Sequence, residues 1–438
     1  MKSKYPELII LGAGLSGLSV AYHYPGKSTI FEKGGKIGGT SSTEQYENFY
    51  FDHGPHVSFT KDKYIQDLLA THTPYVEKIA RPMNSYRGKE FPHPGLFSLN
   101  KLPKAERYNI LLDFINAYKN FNSIKRPRNY EEWCIMTQGR YFANEYTEKY
   151  TKKFWLNPSR NLTTDWVGER VPVPSIEEAL KGLLGINNKS GYYFNTYRYP
   201  KKGGFGSFAL FWKGRSKDIN VVLNKEVRNI NLPTRTIRFR DGSQISYNNL
   251  VTTIPLPELS SIIYPIPGDV KEAISHLKFT SLHYVNIALR GKWKYNFSWL
   301  YFYDDEIPVS RLIPYNKIGP RMSPKGYTAA QLEIPYTGIY NKKFTEVSMK
   351  KIQELKYIEE SKISEMWEFD LKYGYPIYDF KRESSLKIIL EYLRSNNVIP
   401  AGRYGTWAYL WSHQVINQGK EIANYLTNSI GTSSKGVV

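Results

Sequence analysis

A short apolar run near the amino terminus, Leu8–Leu11, is followed at once by a stretch rich in glycine. Four consecutive apolar residues bounded by glycine are typical of a buried parallel strand. The residues up to Tyr24 then predict a helix, and residues 29–31 predict a second strand that ends at Glu32. The pattern at this end of the chain therefore predicts a strand–helix–strand unit.

Gly12, Gly14 and Gly17 form the spacing G-x-G-x-x-G where the first strand passes into the helix. Gly12 permits a tight turn, Gly14 lets the backbone approach a pyrophosphate, and Gly17 allows close packing of helix on strand. Glu32 follows Gly12 by twenty positions, where a carboxylate can accept both ribose hydroxyls. Because a strand, a helix and an acid accompany the glycines, we interpret the segment as dinucleotide-binding and not as a chance glycine-rich turn.

The next elements indicate that other regions interrupt the nucleotide-binding domain. Residues 76–199 contain helical patterns at 104–121 and 131–155 between proline-containing loops, and they predict a helical insertion. Strand patterns at 221–232 and 235–256, with a hairpin turn at Asp241 and Gly242, return the chain to the first domain. We therefore assign residues 1–75, 200–257 and 386–438 to the nucleotide-binding domain.

Residues 258–385 have a different pattern. Strand candidates at 282–291, 298–305 and 327–336 and a helical pattern at 348–361 predict an antiparallel-sheet domain that faces the substrate. Residues 396–426 predict a last strand, a turn at Gly402 and a helix whose start lies beside the cofactor. The fold class is thus α/β: a Rossmann-like domain with a parallel sheet, an inserted helical region and an antiparallel-sheet substrate domain.

Charge narrows the classes of partner. The chain of 438 residues has 60 Lys and Arg against 40 Asp and Glu, a formal charge of +20, which favours anionic partners. The basic residues are scattered without a long basic block or a zinc-finger or RNA-binding signature, so we expect no nucleic acid. A solvated basic surface explains most of the excess. Peripheral membrane contact and a homodimer are left open.

The lone cysteine and the eight histidines bear on location and metal binding. Cys134 is the one cysteine, which fits a buried thiol in a reducing cytoplasm. The apolar run after Lys2 and Lys4 is broken by glycines and lacks a cleavage site, so we do not interpret it as an export signal. His53 and His56 are close in sequence, but the other histidines are scattered, and we expect no metal site.

A second glycine pair, Gly38 and Gly39, distinguishes this chain from plain NAD enzymes. With Glu32 and the late segment at Gly402, it resembles the superfamily of FAD-binding amine oxidases and UDP-galactopyranose mutases. The resemblance implies FAD as the cofactor of the nucleotide-binding domain. It implies these cofactor-binding residues: Gly12, Gly14, Leu15, Ser16, Gly17, Glu32, Lys33, Gly38, Gly39, Thr40, Gly54, Pro55, His56, Val227, Gly402, Arg403, Ser412 and His413.

Further segments resemble the mutases themselves. "YFDHGPHVSFT" is similar to the stretch that carries a histidine beside the flavin, here His56, and "YTKKFWLNPSRNL" to the helix that lines the sugar-nucleotide site. The resemblance implies that Arg170 and Arg311 hold a substrate diphosphate, for which an arginine fork is suited. It makes His56, Arg170 and Arg311 the candidate catalytic residues. The candidate substrate-binding residues are Tyr150, Trp155, Tyr193 and Tyr409.

Four positions depart from the mutase pattern. Phe59 replaces a second histidine, Ile334 falls where a substrate-site tyrosine is expected, and Trp411 and Ser412 replace an aspartate and a methionine. The resemblance implies an anionic small-molecule substrate, a nucleotide sugar, isomerised between pyranose and furanose through reduced FAD. Two alternatives stay open: an FAD-dependent oxidase or desaturase acting on a small amine, alcohol or sugar, and a flavin-carrying scaffold without catalysis.

Overall fold

The computed structural model describes residues 6–120, 126–186 and 194–433, and elements are numbered in chain order. The strands are β1 (Leu8–Leu11), β2 (Ser28–Phe31), β3 (Thr43–Tyr46), β4 (Phe49–Asp52), β5 (Tyr75–Ile79), β6 (Pro82–Tyr86), β7 (Lys89–Pro92), β8 (Thr196–Pro200), β9 (Ile219–Val222), β10 (Val227–Asn231), β11 (Thr236–Phe239), β12 (Gln244–Ser246), β13 (Leu250–Thr252), β14 (Ile263–Tyr264), β15 (Phe279–Arg290), β16 (Trp299–Phe302), β17 (Arg311–Pro314), β18 (Tyr327–Tyr336), β19 (Ile363–Pro376) and β20 (Val398–Pro400).

The helices are α1 (Leu15–His23), α2 (Lys63–Ala70), α3 (Lys104–Asn120), α4 (Tyr130–Gln138), α5 (Arg140–Phe142), α6 (Glu148–Trp155), α7 (Ile176–Leu184), α8 (Leu256–Ile262), α9 (Gly268–Ser275), α10 (Tyr315–Ile318), α11 (Lys343–Glu354), α12 (Arg382–Ser395), α13 (Gly402–Gly405) and α14 (Ser412–Ser433). Residues Ala143–Thr147 form a π-helical turn before α6, and residues Phe205–Arg215 form a long run of 3-10 turns after β8.

The predicted Rossmann-like sheet is confirmed. Five parallel strands lie in the order β20-β13-β1-β2-β9, so the strands predicted from three separate stretches of sequence meet in one sheet. All four residues of β1 are buried, as expected of a central parallel strand covered on both faces. α14 packs on α1, where Ser19 Oγ donates to the carbonyl of Ile416 at 2.6 Å.

The domain that was predicted to face the substrate contains a second sheet of seven strands in the order β19-β15-β18-β17-β16-β6-β7. Its strands pair antiparallel except β16 and β6, which are parallel. One face carries Val285, Ile287 and Leu332 against Ile352 of α11. The other face shares a core with Ala13 of the β1–α1 turn, so the sheet lies directly against the nucleotide-binding domain.

The predicted helical insertion at 76–199 needs correction at both ends. Helices occupy the stretch between Lys104 and Leu184, but β5 pairs with β8, and β6 and β7 extend the seven-stranded sheet. The helical pattern at 131–155 is also interrupted. Gly139 has φ +79°, and a Cβ there would lie 2.7 Å from the backbone of Asp113 on α3. The helix α4 therefore ends before Gly139, where α3 packs closely against the chain. The patterns also missed β17 and the long strand β19.

Candidate dinucleotide and substrate site

The turn between β1 and α1 has the geometry that its three glycines predict. Gly12 has φ +102°, and a Cβ on Gly17 would lie 2.1 Å from the carbonyl oxygen of Gly12. These two glycines are needed for the turn and for helix packing. Gly14 differs, because a Cβ there would meet only the Cα of Gly39, at 3.9 Å. The space beside Gly14 therefore suits a ligand, as close approach of a pyrophosphate requires.

Gly38 and Gly39 close the opposite side of this space. Gly38 donates its N–H to the carbonyl of Ala13 at 2.8 Å and forms an isolated parallel bridge with Gly14. Gly39 has φ +56°, and a Cβ there would approach the Cα of Gly14 to 3.1 Å. Two glycine segments thus face each other, and a side chain on either one would fill the gap between them.

The start of α1 adds a polar group to this cradle. Leu15 is buried in the core, whereas Ser16 Oγ is buried and makes no hydrogen bond within the described residues. Gly402 lies against Ser16, since a Cβ on Gly402 would be 3.0 Å from Ser16 Cβ. Thr40 lies in the facing turn, Gly39–Ser41. The Ser16 hydroxyl and the first N–H groups of α1 can donate to one anion, as a pyrophosphate site requires.

Glu32 has acceptor capacity left for a ligand. Its Oε2 accepts the N–H of Ala13 at 2.8 Å, and its Oε1 accepts the N–H of Gly34 at 2.8 Å. A carboxylate has about four acceptor sites, so about two remain for ribose hydroxyls. Val227 begins a strand close by, because the N–H of Lys225 donates to the carbonyl of Glu32 at 2.8 Å. The arrangement fits the adenosine half of a dinucleotide.

The loop after β4 carries Gly54, Pro55 and His56 to the face of the seven-stranded sheet. A Cβ on Gly54 would lie 3.2 Å from Glu333 Oε2. Nδ1 of His56 is buried without a hydrogen-bond partner in the described part of the chain. Burial, followed by the positive charge of Arg403, lowers the pKa of His56 to about 3. His56 is therefore neutral near pH 7, with a ring nitrogen that can bond to a ligand.

Asp52 anchors this loop and was not among the site residues predicted from the sequence. Its Oδ1 accepts from Thr43 Oγ1 at 2.6 Å and from the N–H of Phe205 at 2.9 Å, and its Oδ2 accepts from Tyr199 Oη at 2.6 Å. Burial raises the pKa of Asp52 to about 7, and these three hydrogen bonds oppose the rise. The available signal was an acid at the end of an otherwise aromatic strand, "FYFD".

Arg311 is held by a buried carboxylate. Its Nε and Nη2 donate to the two oxygens of Glu333 at 2.9 and 2.6 Å, and Nη2 also donates to Tyr375 Oη at 2.8 Å. Strand register explains the pair, because Tyr284, Glu333 and Arg311 stand opposite one another on β15, β18 and β17. Burial lowers the pKa of Arg311, but Glu333 together with Tyr375 and Tyr150 exceeds this effect and raises the pKa well above its ordinary value, so Arg311 stays cationic.

Arg170 and Arg403 converge on Tyr409 from distant parts of the chain. Their guanidinium carbons lie 4.9 and 5.2 Å from the centre of the Tyr409 ring. Arg170 Nη2 donates to the carbonyl of Tyr409 and, at 3.1 Å, to Gln414 Oε1. Arg403 Nε and Nη2 donate to the carbonyl of Leu410 at 3.0 and 2.6 Å. Two partly buried cations beside one ring make this part of the site strongly positive.

Three of the positions that depart from the mutase pattern gather beside Arg170. The Arg170 guanidinium lies 4.2 Å from the centre of the Trp411 ring, and Phe59 packs edge-on against Trp411 with ring centres 5.0 Å apart. Ser412 begins α14, and His413 lies 5.3 Å from Phe59. Burial, followed by the charge of Arg170, lowers the pKa of His413. Phe59 and Trp411 thus form an aromatic cluster beside a cation, and Ser412 follows Trp411 in the chain.

Tyr150 and Trp155 occupy different environments on α6. Tyr150 Oη is buried and has no hydrogen-bond partner among the described residues, and its ring centre is 5.3 Å from that of Tyr301. Trp155 is only 2% exposed and reaches the site through its edge contact with Tyr409, at 5.5 Å. Tyr193 lies outside the described residues.

Two positions singled out from the sequence lie away from this cluster. Ile334 is fully buried on the face of β18 opposite to Glu333, because successive residues of a strand point to opposite faces. A tyrosine at that position would not reach the site, and Tyr375 of β19 supplies a phenol there instead. Lys33 is exposed and forms an ion pair with Glu258 at 3.5 Å.

Glu333 and Tyr375 were missed by the sequence analysis, although one signal was present. Glu333 is a charged residue inside the apolar strand pattern "YTAAQLEIPY", and a buried carboxylate needs a partner. Tyr375 lies in the strand that the pattern did not predict. A continuous path of contacts then crosses the site. Gly54 contacts Glu333, and Glu333 binds Arg311. Arg311 donates to Tyr375, whose ring centre lies 5.6 Å from that of Tyr409.

Comparison with known proteins bears on the fold of the chain. Residues 10–71 match the family of NAD(P)-binding Rossmann-like domains. A structure of reduced UDP-galactopyranose mutase superposes with a TM-score of 0.87 at 21% identity, over 97% of this chain and 94% of the other. The chain has the fold of UDP-galactopyranose mutase. The predicted resemblance is therefore confirmed at the level of the fold.

Two other proteins with a similar fold have names that state different substrates. A putrescine oxidase redesigned in its cofactor binding matches with a TM-score of 0.65 at 12% identity, over 97% of this chain and 100% of the other. A fatty acid isomerase from P. acnes that produces CLA matches with a TM-score of 0.65 at 14% identity, over 97% and 99%. The fold alone thus leaves the substrate of this chain open.

Within the described residues, no group of three or more His, Cys, Asp or Glu side chains is placed to hold a metal ion. No helix in this part of the chain is both long and apolar enough to cross a membrane.

Proposed function

We propose that this chain is an FAD-dependent enzyme that isomerises the sugar of a nucleoside diphosphate sugar. The observation that carries the proposal is the continuity of two sites. The glycine cradle at Gly14 and Gly39 is followed in the chain by the Gly54 loop, which contacts Glu333 and so leads to a cluster of arginines and aromatic rings. A dinucleotide seated in the cradle would extend its reactive end toward His56 and Arg311.

FAD fits the cradle through features of this chain. Gly14 and Gly39 leave room for a pyrophosphate, Ser16 offers an unused hydroxyl, and Glu32 retains acceptors for a ribose. The contact between Gly402 and Ser16 brings the carboxyl-terminal segment to the same place, as an extended cofactor requires. When bound and reduced, the flavin would supply an electron-rich centre for chemistry at the sugar.

The charge of this cluster of arginines favours an anionic substrate. Among the described residues along this contact path, the guanidinium groups of Arg170, Arg311 and Arg403 outnumber the carboxyl groups of Glu333 and Asp52, and burial raises the pKa of Asp52 to about 7. The hydrogen bonds of Arg311 to described residues use Nε and Nη2, so Nη1 would be available to a ligand. A diphosphate is the common biological group that matches two or three convergent arginines.

The residues of this chain would then divide the work. Arg170 and Arg311 would neutralise the diphosphate as negative charge collects on it, and the neutral His56 would contact the cofactor. Tyr150 would offer its buried hydroxyl to the substrate. The lone buried Cys134 accords with a reducing cytoplasm, which we propose as the location.

An oxidase acting on a small substrate is the second candidate, and the pairing of Arg311 favours it. Because Glu333 already pairs with the Nε–Nη2 edge of that guanidinium and neutralises its charge, this part of the site is less positive than the sequence implied. Phe59 and Trp411 further make the surroundings of Arg170 more apolar than the mutase pattern implies.

Replacement of Gly14 by valine is expected to empty the cofactor site. The added methyl groups would occupy the gap toward Gly39, which the protein itself leaves open. Denatured wild-type protein should release FAD and not FMN, and the variant should release almost none, as measured by chromatography. Gly268→Val is the matched control, because a Cβ there meets nothing within 4 Å. Full flavin occupancy in Gly14→Val would contradict the assignment.

Replacement of Arg170 by alanine is expected to weaken binding of UDP or dTDP by about 2–4 kcal/mol, about 30- to 1,000-fold in Kd. The reason is the loss of a partly buried, charge-assisted contact to the diphosphate. Titration calorimetry on flavin-loaded protein gives the measurement. Arg160→Ala, an exposed arginine of the same helical region, should bind as the wild type does.

Flavin content and the melting temperature of Arg170→Ala must match the wild type, because Arg170 also holds Gln414. Unchanged nucleotide affinity in a folded, flavin-loaded variant would favour a small amine or alcohol as substrate.

A further inference from the structure

A closed circuit of side-chain contacts runs through the candidate site. The Arg170 guanidinium and nine aromatic rings follow one another, and neighbouring centres lie 4.2–6.4 Å apart except at one step. At that step Trp299 Nε1 donates to Tyr301 Oη at 3.0 Å. We call this set the aromatic circuit. In order of contact it consists of Arg170, Trp411, Phe59, Phe194, Trp299, Tyr301, Tyr150, Phe154, Tyr375 and Tyr409, which contacts Arg170 again.

The aromatic circuit includes the groups proposed to hold the diphosphate. Arg170 is a member, and Arg311 donates to the Tyr375 hydroxyl at 2.8 Å. Tyr150 Oη is buried and has no hydrogen-bond partner among the residues that the structure describes. In a nucleoside diphosphate sugar the diphosphate is bonded directly to the sugar, so a sugar held by these arginines lies against the circuit.

The two sides of the circuit differ in polarity. Tyr150, Tyr301 and Tyr375 bring phenol hydroxyls to one side, and these can donate to or accept from the hydroxyls of a sugar. Phe59 and Trp411 lie on the other side, in edge-on contact at 5.0 Å. Phe59 has no polar side-chain atom, and Trp411 offers a single N–H donor. Where the mutase pattern has a histidine and an aspartate, this chain therefore has two side chains without a hydrogen-bond acceptor.

Neighbouring side chains hold Phe59 in place. Its ring stacks on that of Phe194, with centres 4.4 Å apart and planes 8° apart, and Phe194 is buried. His413 packs edge-on against Phe59, and it also lies within reach of the charges of the exposed Glu169 and Asp62. His413 is therefore on the solvent side of this pair of rings, and the pair presents an apolar face to the site.

Both apolar members lie on segments that also lead to the proposed cofactor. Phe59 follows His56 by three residues in one loop. Trp411 lies on the segment that begins at Gly402, where a Cβ would be 3.0 Å from Ser16 of the glycine cradle. The sugar must react beside the cofactor, so these two rings are placed to contact the sugar and not the nucleoside.

This apolar face suits a methyl group better than a hydroxyl group. A hydroxyl packed against the two rings would lose its hydrogen bonds to water without replacement, which costs free energy, whereas a methyl group would not. Interconversion of a pyranose and a furanose uses C1, the oxygen of the existing ring and the C4 hydroxyl that closes the new one. The C6 hydroxyl lies outside both rings, so a sugar without it can still be isomerised.

We propose that Phe59 and Trp411 are specificity-determining residues that select a nucleoside diphosphate 6-deoxyhexose, whose C6 methyl group packs on the two rings. The inference rests on the proposed function and adds the class of sugar. The phenol hydroxyls on the other side of the circuit, among them that of Tyr150, then bind the hydroxyls that the sugar retains.

Titration calorimetry compares UDP, UDP-galactose and UDP-6-deoxygalactose on oxidised, flavin-loaded protein, in which no isomerisation is expected. UDP-6-deoxygalactose is expected to bind about 10- to 100-fold more tightly than UDP-galactose, as an apolar pocket discriminates against an added hydroxyl. Equal Kd values for the two sugars, or a preference for UDP-galactose, would overturn this inference and leave the proposed function intact. Failure of UDP itself to bind would overturn both.

Replacement of Phe59 separates polarity from shape. Phe59→His adds a hydrogen-bonding ring and should bring the two Kd values close together, whereas Phe59→Leu stays apolar and should keep the preference for the deoxy sugar. Phe344→His, on the exposed side of α11, is the control for a new histidine elsewhere and should leave both Kd values unchanged.

Flavin content and melting temperature show whether each variant is folded. A wild-type ratio of the two Kd values in folded Phe59→His would overturn the role of Phe59. The comparison of the two sugars on the wild-type protein needs no variant, so it decides the class of sugar even if Phe59→His loses its flavin.

Discussion

Chemically reduced protein, kept anaerobic, is expected to convert a UDP- or dTDP-linked hexose between its ring forms, whereas oxidised protein is expected to show no turnover. A mutase needs an electron-rich flavin but consumes no electrons overall, while an oxidase starts from oxidised flavin and reduces it in every cycle. The measurement is chromatography of products from a panel of nucleotide sugars, with flavin absorbance followed in parallel.

The same assay distinguishes the second candidate. If a small amine, alcohol or sugar bleaches the oxidised flavin and peroxide forms on admitting air, the enzyme is an oxidase. Gly14→Val serves as the control without cofactor, since the site for the dinucleotide is filled in that variant. Any isomerisation that persists in it would come from a contaminating enzyme.

Replacement of Arg311 by alanine is expected to lower the free energy of unfolding by about 3–5 kcal/mol. Glu333 has no exposed side-chain surface, so the variant leaves a buried carboxylate without its cationic partner. Urea unfolding of the flavin-loaded protein measures the change. Arg240→Ala is the matched control, because its pair with Glu226 is exposed and should contribute about 0–1 kcal/mol.

A double variant tests whether the loss comes from the unpaired charge. Arg311→Met with Glu333→Gln removes both charges and keeps the volume, and the amide can still bond to Ser310 and Tyr284. We expect this variant to regain most of the lost stability, because a buried ion pair replaced as a unit is often near neutral. If the double variant is as unstable as Arg311→Ala, packing and not charge accounts for the loss.

The double variant also separates stability from binding. If Arg311 contacts a diphosphate through Nη1, then Arg311→Met with Glu333→Gln should be stable yet bind UDP weakly. Retained affinity would show that Arg311 has only a structural role, and Arg170 would then be the main anion contact.

Local sequence determined the nucleotide-binding half of the site. Gly12, Gly14 and Gly17 act within one turn, and Glu32 is separated from them by a single helix and strand, so spacing along the chain reports spacing in the fold. Strands with a clear apolar pattern, such as β18, were also predicted with correct bounds. In these cases the information lies within about thirty residues, the length of a βαβ unit.

The candidate substrate half was decided by tertiary structure. Arg311 meets Glu333 because the register of β17 and β18 places them opposite each other, and Arg170 meets Gln414, which is 244 residues away in the chain. The motif likewise did not determine which side of β18 faces the candidate site. In the structure Ile334 lies in the core and Glu333 lies in the candidate site. A motif specifies which residues are present, whereas strand pairing and helix packing decide which of them meet. Those contacts join segments that are far apart in the chain, and the number of residues between such segments does not predict their distance in the fold.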